Sequence, residues 1–186
     1  SEISFKEPIK TSILKDNINI LNFEKSSIKL NLNKQKNEKI LIEGLYSFNK
    51  NTKKNKFTLN SKILKSGIDT DLMLEITDEL FVKFINYKKD GEKKASIRLK
   101  INNDNSNILK IKSMEYNEGD SRILIKDLKL DNNNKIKTLK EVTVKTYKEK
   151  LTNNDFIVSF GKKIFIKGKK YDSTNLIELI NEKNKE

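Results

Sequence analysis

The chain has 186 residues, a formal net charge of +13 and a mean hydropathy of −0.69. It contains no Cys and no His, which excludes disulfides, Cys/His metal sites and the Ser-His-Asp and Cys-His nucleophile systems. Lys and Arg together number 39, but only Arg98 and Arg122 are arginines. Because phosphate-binding surfaces usually use the bidentate guanidinium of Arg, we interpret the charge mainly as a coding bias towards Lys, Asn and Ile. A basic surface would still attract anionic lipid headgroups or nucleic acid.

Apolar and polar residues alternate along most of the chain, which is typical of β-strands with one buried face. The alternating apolar positions are, in chain order, Ile28, Leu30 and Leu32; Phe57, Leu59 and Ile63; Leu72, Leu74 and Ile76; Ile97, Leu99 and Ile101; Val142 and Val144; Phe156, Val158 and Phe160; and Ile164 and Ile166. Clusters of Asn, Asp and Gly predict turns between the strands, among them residues 117–120, residues 153–155 and Asp90-Gly91, which is expected to close a hairpin. The sequence therefore predicts an all-β fold, an antiparallel meander of about a dozen strands.

Near the C-terminus the spacing of the apolar residues changes from that of a strand to that of a helix. Leu176, Ile177 and Ile180 have helical spacing, and Ser173 can cap the first turn, so a short helix is predicted over residues 173–182. No linker rich in Pro, Gly or Ser divides the chain, which we interpret as one β-rich domain over 1–186 or as a segment of a larger protein. No apolar run reaches the roughly 18 residues of a membrane span, and no signal peptide opens the chain. If the protein is exported or anchored, the segment responsible is expected to lie outside this sequence.

Paired carboxylates are the main candidates for chemistry. Asp69 with Asp71, and Asp78 with Glu79, could in principle transfer protons or hold a cation. The spacing of a calcium loop is absent, and both pairs flank strand ends, where charged residues normally face water. We therefore predict a non-enzymatic protein without a cofactor or a metal site.

The apolar strand faces exceed what one short helix can cover. Either two sheets pack together as a jelly-roll-like sandwich, or one long curved sheet keeps an apolar groove that binds lipid. The low overall hydrophobicity favours the groove. The positions predicted to line the groove, or else the core, are Leu30, Leu59, Leu74, Leu99, Ile125, Val144, Val158 and Ile166.

Residues 107–182 carry a further pattern. A strand over 121–130 is followed by a second strand over 142–147 and then by the step Gly168-Lys169-Lys170-Tyr171-Asp172, which leads into the predicted helix. This order resembles a repeat of the AsmA-like family of bacterial envelope proteins, which includes the TamB and YhdP types. The resemblance implies a periplasmic protein of a Gram-negative bacterium, anchored to the inner membrane by a segment outside this sequence. Its hydrophobic β-groove would move phospholipid between membranes, and no catalytic motif of the family is carried over. The chain is much shorter than members of that family.

Three functions remain open at this level. The leading hypothesis is a non-catalytic envelope segment whose β-groove binds or conducts lipid acyl chains. The alternatives are a β-sandwich interaction or adhesin module and a basic nucleic-acid-binding domain. The expected partners are phospholipid or another apolar ligand, an anionic membrane surface and envelope proteins. The aromatic residues mostly occupy strand positions suited to core packing, which argues against nucleic acid.

Overall fold

The computed structural model describes residues 1–9, 13–14, 17–32, 38–49, 53–104, 108–133 and 135–176. Within these residues the backbone forms fourteen β-strands and one short 3₁₀ turn, Lys83–Ile85. The strands are β1 (Glu2–Ile9), β2 (Ile18–Asn31), β3 (Glu38–Phe48), β4 (Asn55–Leu64), β5 (Gly67–Ile76), β6 (Leu80–Val82), β7 (Tyr87–Lys89), β8 (Ala95–Asp104), β9 (Leu109–Glu118), β10 (Ser121–Leu130), β11 (Ile136–Thr138), β12 (Glu141–Lys148), β13 (Leu151–Phe160) and β14 (Ile164–Lys170).

One antiparallel sheet contains every strand except β6 and β7, which pair with each other. Its order is β1-β2-β3-β4-β5-β8-β9-β10-β12-β13-β14, and the short β11 pairs with the end of β10. The prediction of an all-β antiparallel meander is confirmed. Of the two arrangements considered, the described residues form a single open sheet of twelve strands and not two sheets packed face to face.

The register of this sheet sorts the side chains onto two faces, because directly opposed residues in an antiparallel ladder point to the same side. One apolar residue from each of eight adjacent strands falls into a single row across the sheet. The row is Leu59, Leu72, Leu99, Met114, Ile125, Val142, Val158 and Ile166. We call this side of the sheet the apolar face. The intervening residues are mostly charged or polar and form the opposite side, the charged face.

Two tight turns show how far the turn predictions hold. The turn predicted within 117–120 is confirmed, since Glu118 pairs with Ser121 and Gly119 adopts a positive φ of 54°. The break predicted at 153–155 is wrong, because these residues lie inside β13. The chain instead reverses at Glu149 and Lys150, whose φ angles of 50° and 64° are those usually supplied by Asn-Gly.

Two further predictions concern Asp90-Gly91 and the C-terminal helix. Asp90 opens a turn in which its carbonyl accepts from the amide of Lys93 at 3.2 Å. The predicted hairpin is nevertheless wrong, since β7 pairs with β6 and β8 pairs with β5.

Of the predicted helix, the structure describes residues 173–176. They begin with a turn in which the amide of Leu176 donates to the carbonyl of Ser173 at 2.9 Å. Residues 177–182 lie outside the described residues.

Residues 77–94, which we call the insertion, connect β5 to β8 and contain β6, the 3₁₀ turn and β7. They pack against the apolar face at the end of the sheet where β5 ends and β8 begins. The buried core formed there comprises Ile76, Leu80, Ile85, Tyr87, Ala95, Tyr116, Val144 and Phe156. At this end of the sheet the insertion thus covers the apolar face, a role that the sequence did not predict for it.

Candidate functional site

The apolar face changes from buried to exposed across the sheet. All eight positions singled out in the sequence lie on this face. Val144, near the insertion, is 3% exposed, whereas Leu30 and Ile166 are 61% and 73% exposed. Leu59, Leu74, Leu99, Ile125 and Val158 are half-buried. The structure thus brings the predicted residues onto one surface but covers only part of that surface.

A groove of about 520 Å³ lies where the apolar face meets β14. Phe156 and Val158 from β13 and Ile166 from β14 contribute to its lining, together with Phe84 of the 3₁₀ turn and Tyr171. Its volume falls within the range of ordinary small-molecule sites, which are mostly apolar with a few polar groups. We take this groove as the candidate functional site.

Aromatic contacts shape one wall of the groove. The ring of Tyr171 meets that of Phe156 edge-on at 5.4 Å and that of Phe84 at 5.7 Å. The hydroxyl of Tyr171 donates to the carbonyl of Phe84 at 2.9 Å, which ties the segment after β14 to the insertion. Gly168 permits this packing, because a Cβ there would lie 2.4 Å from the Cβ of Phe156. Any larger residue at 168 would have to displace the Phe156 side chain or the strand.

A buried polar cluster fixes the insertion beside the groove. The side-chain amide of Asn154 donates to the carbonyl of Ile85 at 2.8 Å and to the hydroxyl of Thr146 at 2.9 Å. Its oxygen accepts from the amide of Asp172 at 2.8 Å. The Asp172 carboxylate in turn accepts from the side-chain amide of Asn86 at 2.9 Å. We call Asn86, Thr146, Asn154 and Asp172 the polar clasp, since they join the insertion, β12, β13 and the end of β14.

Tyrosines anchor the insertion on its other side. The hydroxyls of Tyr87 and Tyr116 lie 2.9 Å apart, and Tyr87 also donates to the Glu118 carboxylate. Burial, followed by the hydrogen bond to Glu118, raises the pKa of Tyr87 above its usual range. Burial likewise raises the pKa of Tyr116 to about 12. Both hydroxyls therefore stay protonated and able to donate at any physiological pH.

The insertion also contains a fully buried lysine. Lys89 is 0% exposed, and its ammonium donates to the carbonyls of Asp78 and Asp90 at 2.8 and 2.9 Å. Burial lowers the pKa of Lys89, because the charged form loses hydration. The Asp78 carboxylate accepts from the side-chain amide of Asn55 at 3.3 Å. Asp78, singled out in the sequence for acid-base or cation chemistry, thus takes part in holding the insertion against β4.

The other carboxylate pair lies on the charged face. Asp71 accepts from the guanidinium of Arg98 through contacts of 2.5 to 3.2 Å, and this hydrogen bonding lowers the Asp71 pKa. Asp69 accepts from Asn102 at 2.7 Å and from Lys112 at 3.3 Å, and the Asn102 bond is the main cause of its lowered pKa. Within the described residues, no group of three or more acidic side chains is arranged to hold a metal ion.

Sequence reasoning missed three residues of the groove, namely Phe84, Gly168 and Tyr171. Phe84 lies in the 3₁₀ turn of the insertion, where the alternating pattern is interrupted. In the sequence, Gly168 stood out only as the start of the Gly168-to-Asp172 step before the predicted helix, although a glycine inside a strand often marks a close backbone approach. That signal could have indicated the contact between β14 and Phe156.

The fold and the groove define an all-β protein built on a single open antiparallel sheet, with an apolar site at one edge. No protein-family model matches the chain, and comparisons with curated proteins and with solved structures return no match. Among the described residues, no helix is long and apolar enough to cross a membrane.

Proposed function

We propose that this protein binds the acyl chain of a lipid, or a ligand of similar apolar character, on the apolar face. The observation that carries the proposal is the apolar row from Leu59 to Ile166, which continues out of the covered core into the groove at β14. Soluble proteins rarely leave large contiguous apolar surfaces uncovered unless something binds there. A flexible hydrocarbon chain suits such a surface, because it needs no hydrogen-bond partners along its length.

The groove is the entry point in this proposal. Ile166 and Phe84 are 73% and 53% exposed, whereas Phe156 beneath them is 7% exposed. A ligand placed there would bury apolar side chains that are exposed in the free protein. Each Å² of apolar area removed from water would stabilise the complex by about 25 cal/mol. The polar clasp holds the insertion in place on one side of the groove, so the site is largely formed before a ligand arrives.

The proposal also includes a location for the protein, the bacterial cell envelope. The resemblance of residues 107–182 to AsmA-like repeats suggests a periplasmic protein anchored to the inner membrane by a segment outside this sequence. Its bound lipid would then be phospholipid passing between the two membranes. The described residues support this setting only through the apolar face.

Two adjacent residues of β14 provide the sharpest test. Ile166 lines the groove, and Phe165 points to the charged face of the same strand with a similar exposure of 66%. Purified protein would be titrated with a fluorescent fatty acid below its micelle concentration, and lipids extracted from the protein would be analysed by mass spectrometry. We expect Ile166→Asp to weaken probe binding at least tenfold, since it places a charge in an apolar groove, and Phe165→Asp to leave binding nearly unchanged.

The proposal fails if neither copurified lipid nor probe binding is detected. It also fails if the Ile166→Asp and Phe165→Asp variants weaken binding equally, because the ligand would then not distinguish the two faces. Thermal melting of both variants shows whether a loss of binding reflects a loss of fold.

A further inference from the structure

The end of the sheet farthest from the insertion carries a concentration of positive charge. We define the basic rim as residues 126–141 and 160–167, which contain eight lysines, three acidic residues and no arginine. The two segments adjoin each other. The amide of Phe160 donates to the carbonyl of Lys140 at 2.8 Å, and Phe160 pairs with Ile164 across the next turn. The lysines of these two segments are thereby gathered at one end of the sheet.

Local contacts occupy the three acidic residues of the rim. Asp131 accepts from the backbone amides of Asn133 and Lys135, each at 2.9 Å. Glu141 and Asp127 form ion pairs with Lys126 at 2.7 Å and with Lys140 at 3.5 Å. The remaining rim lysines form no ion pair with any residue that the structure describes; they are Lys129, Lys135, Lys137, Lys162, Lys163 and Lys167.

Exposed apolar side chains lie among these lysines. Ile136 is 65% exposed between Lys135 and Lys137, and Ile164 is 64% exposed directly after Lys163. Phe165 is 66% exposed on the opposite face of β14. Lysines that alternate with exposed large apolar residues characterise surfaces that lie in a membrane interface, where apolar groups enter the acyl boundary and ammonium groups contact phosphates.

We propose that the basic rim docks end-on onto an anionic lipid bilayer. Ile136, Ile164 and Phe165 would enter the interface, and the unpaired lysines around them would contact the lipid phosphates. This inference rests on the charge and exposure of the rim and holds whether or not the groove binds an acyl chain. It would nevertheless place Ile166, a lining residue of the groove, two residues from a membrane-inserted Ile164.

A bilayer fits the rim better than a nucleic acid does. Both arginines lie outside the rim and pair with carboxylates, Arg98 with Asp71 and Arg122 with Glu115. The rim therefore has no guanidinium for bidentate phosphate or base contacts. A nucleic acid would also leave Ile136 and Ile164 exposed, whereas a membrane interface would bury them.

Vesicle flotation tests the docking surface. Full-length protein would be mixed with phosphatidylcholine vesicles, with or without phosphatidylglycerol at about a third of the lipid. We expect binding only to the anionic vesicles and a marked loss of binding at high salt. The double variant Lys162→Glu/Lys163→Glu should bind at least about twentyfold more weakly, since each basic residue near an anionic surface contributes roughly fivefold in affinity.

The matched control reverses two exposed lysines at the opposite end of the sheet, Lys56→Glu/Lys94→Glu, and should bind almost as well as the unchanged protein. Phe165→Ser tests the apolar part and should weaken the binding that remains at high salt. The proposal is overturned if neutral vesicles bind equally well or if both double variants lose binding to the same extent. Binding of a single-stranded oligonucleotide without binding of anionic vesicles would assign the rim to nucleic acid instead.

Discussion

The two ends of the apolar face have the same alternating pattern and very different surroundings. Near the insertion, Tyr116, Val144 and Phe156 are 6%, 3% and 7% exposed. At the other end and along β14, Leu30 and Ile164 are more than 60% exposed. Because both regions alternate with period two, the pattern determines which face of the sheet a residue lies on. Whether that face is buried depends on a separate segment, residues 77–94, that folds over one end only.

Substituting one apolar side chain in each region should give the largest contrast. Phe156→Ala removes a 7% exposed ring that packs against Tyr171 and the core, and should lower the free energy of unfolding by about 3–5 kcal/mol. Ile164→Ala, at a 64% exposed site at the other end, should change it by less than about 0.5 kcal/mol. Urea denaturation followed by circular dichroism measures both. Equal losses would show that the two regions do not differ in packing.

The polar clasp should show the next largest effect. Asn154→Ala leaves the amide of Asp172 without its partner and the carbonyl of Ile85 with only the 3.5 Å bond from Asn153, and a buried unsatisfied group costs about 1–3 kcal/mol. Hydrogen exchange should then show faster opening of residues 83–86 than of the central strands. Asn31→Ala, on an exposed strand position, is the control. Unchanged exchange in the insertion would mean that apolar packing alone holds it.

The buried tyrosines predict a loss of stability at alkaline pH. In the unfolded chain a tyrosine ionises near 10.0, whereas folded Tyr116 keeps its proton up to about 12. A pKa raised by folding stabilises the protein below pH 10, and this stabilisation is lost as the pH rises from 10 to 12. The loss is about 1.4 kcal/mol for each unit that separates the two pKa values. Lys89 has the opposite effect on stability. Folding lowers its pKa, so the free energy of unfolding rises as the pH rises towards 10.5, where the unfolded side chain loses its proton.

Melting temperatures between pH 8 and about 12 measure this dependence. The Tyr116→Phe variant should show a shallower decline above pH 10 than the unchanged protein. An identical decline in the two proteins would assign the alkaline loss to other groups.

The charged face should give the smallest effect. Asp71→Asn removes the ion pair with Arg98, whose side chain is 53% exposed, and should cost no more than about 1 kcal/mol. High salt should reduce even that difference, since exposed pairs are screened. Chemical denaturation at two salt concentrations would detect it. A loss as large as that of Phe156→Ala would indicate that the charged face helps to hold the sheet together.

The strands could be predicted from the sequence because the alternation of apolar and polar residues in each strand reflects which of its two faces is buried. Ile97 and Leu99 alternate with Ser96, Arg98 and Lys100, and both lie on the apolar face of β8. Turn positions were harder to predict. Glu149 and Lys150 adopt the left-handed backbone of a tight turn without the usual Asn or Gly, whereas Asn153 and Asn154 make buried hydrogen bonds inside a strand.

The candidate site was only partly predictable for a related reason. Val158 and Ile166 follow the strand pattern, so their common face could be predicted. Phe84 and Tyr171 reach the groove through contacts between segments 87 residues apart in the chain, and no local pattern carries that information. The cover supplied by the insertion was missed because its apolar residues, such as Leu80 and Ile85, occupy short irregular elements.

The order of the strands in the sheet determines how such a chain could gain or lose strands during evolution. From β2 to β13, apart from the insertion and β11, every strand pairs with the strand before it and the strand after it. A hairpin added or lost at the β1 edge would therefore disturb one ladder and leave the buried cluster around Tyr116 intact, whereas loss of the β13–β14 hairpin would remove Phe156 from that cluster. Sheets of this type can lengthen by duplication of hairpins, and each new hairpin would widen the apolar face while the insertion remained the same size.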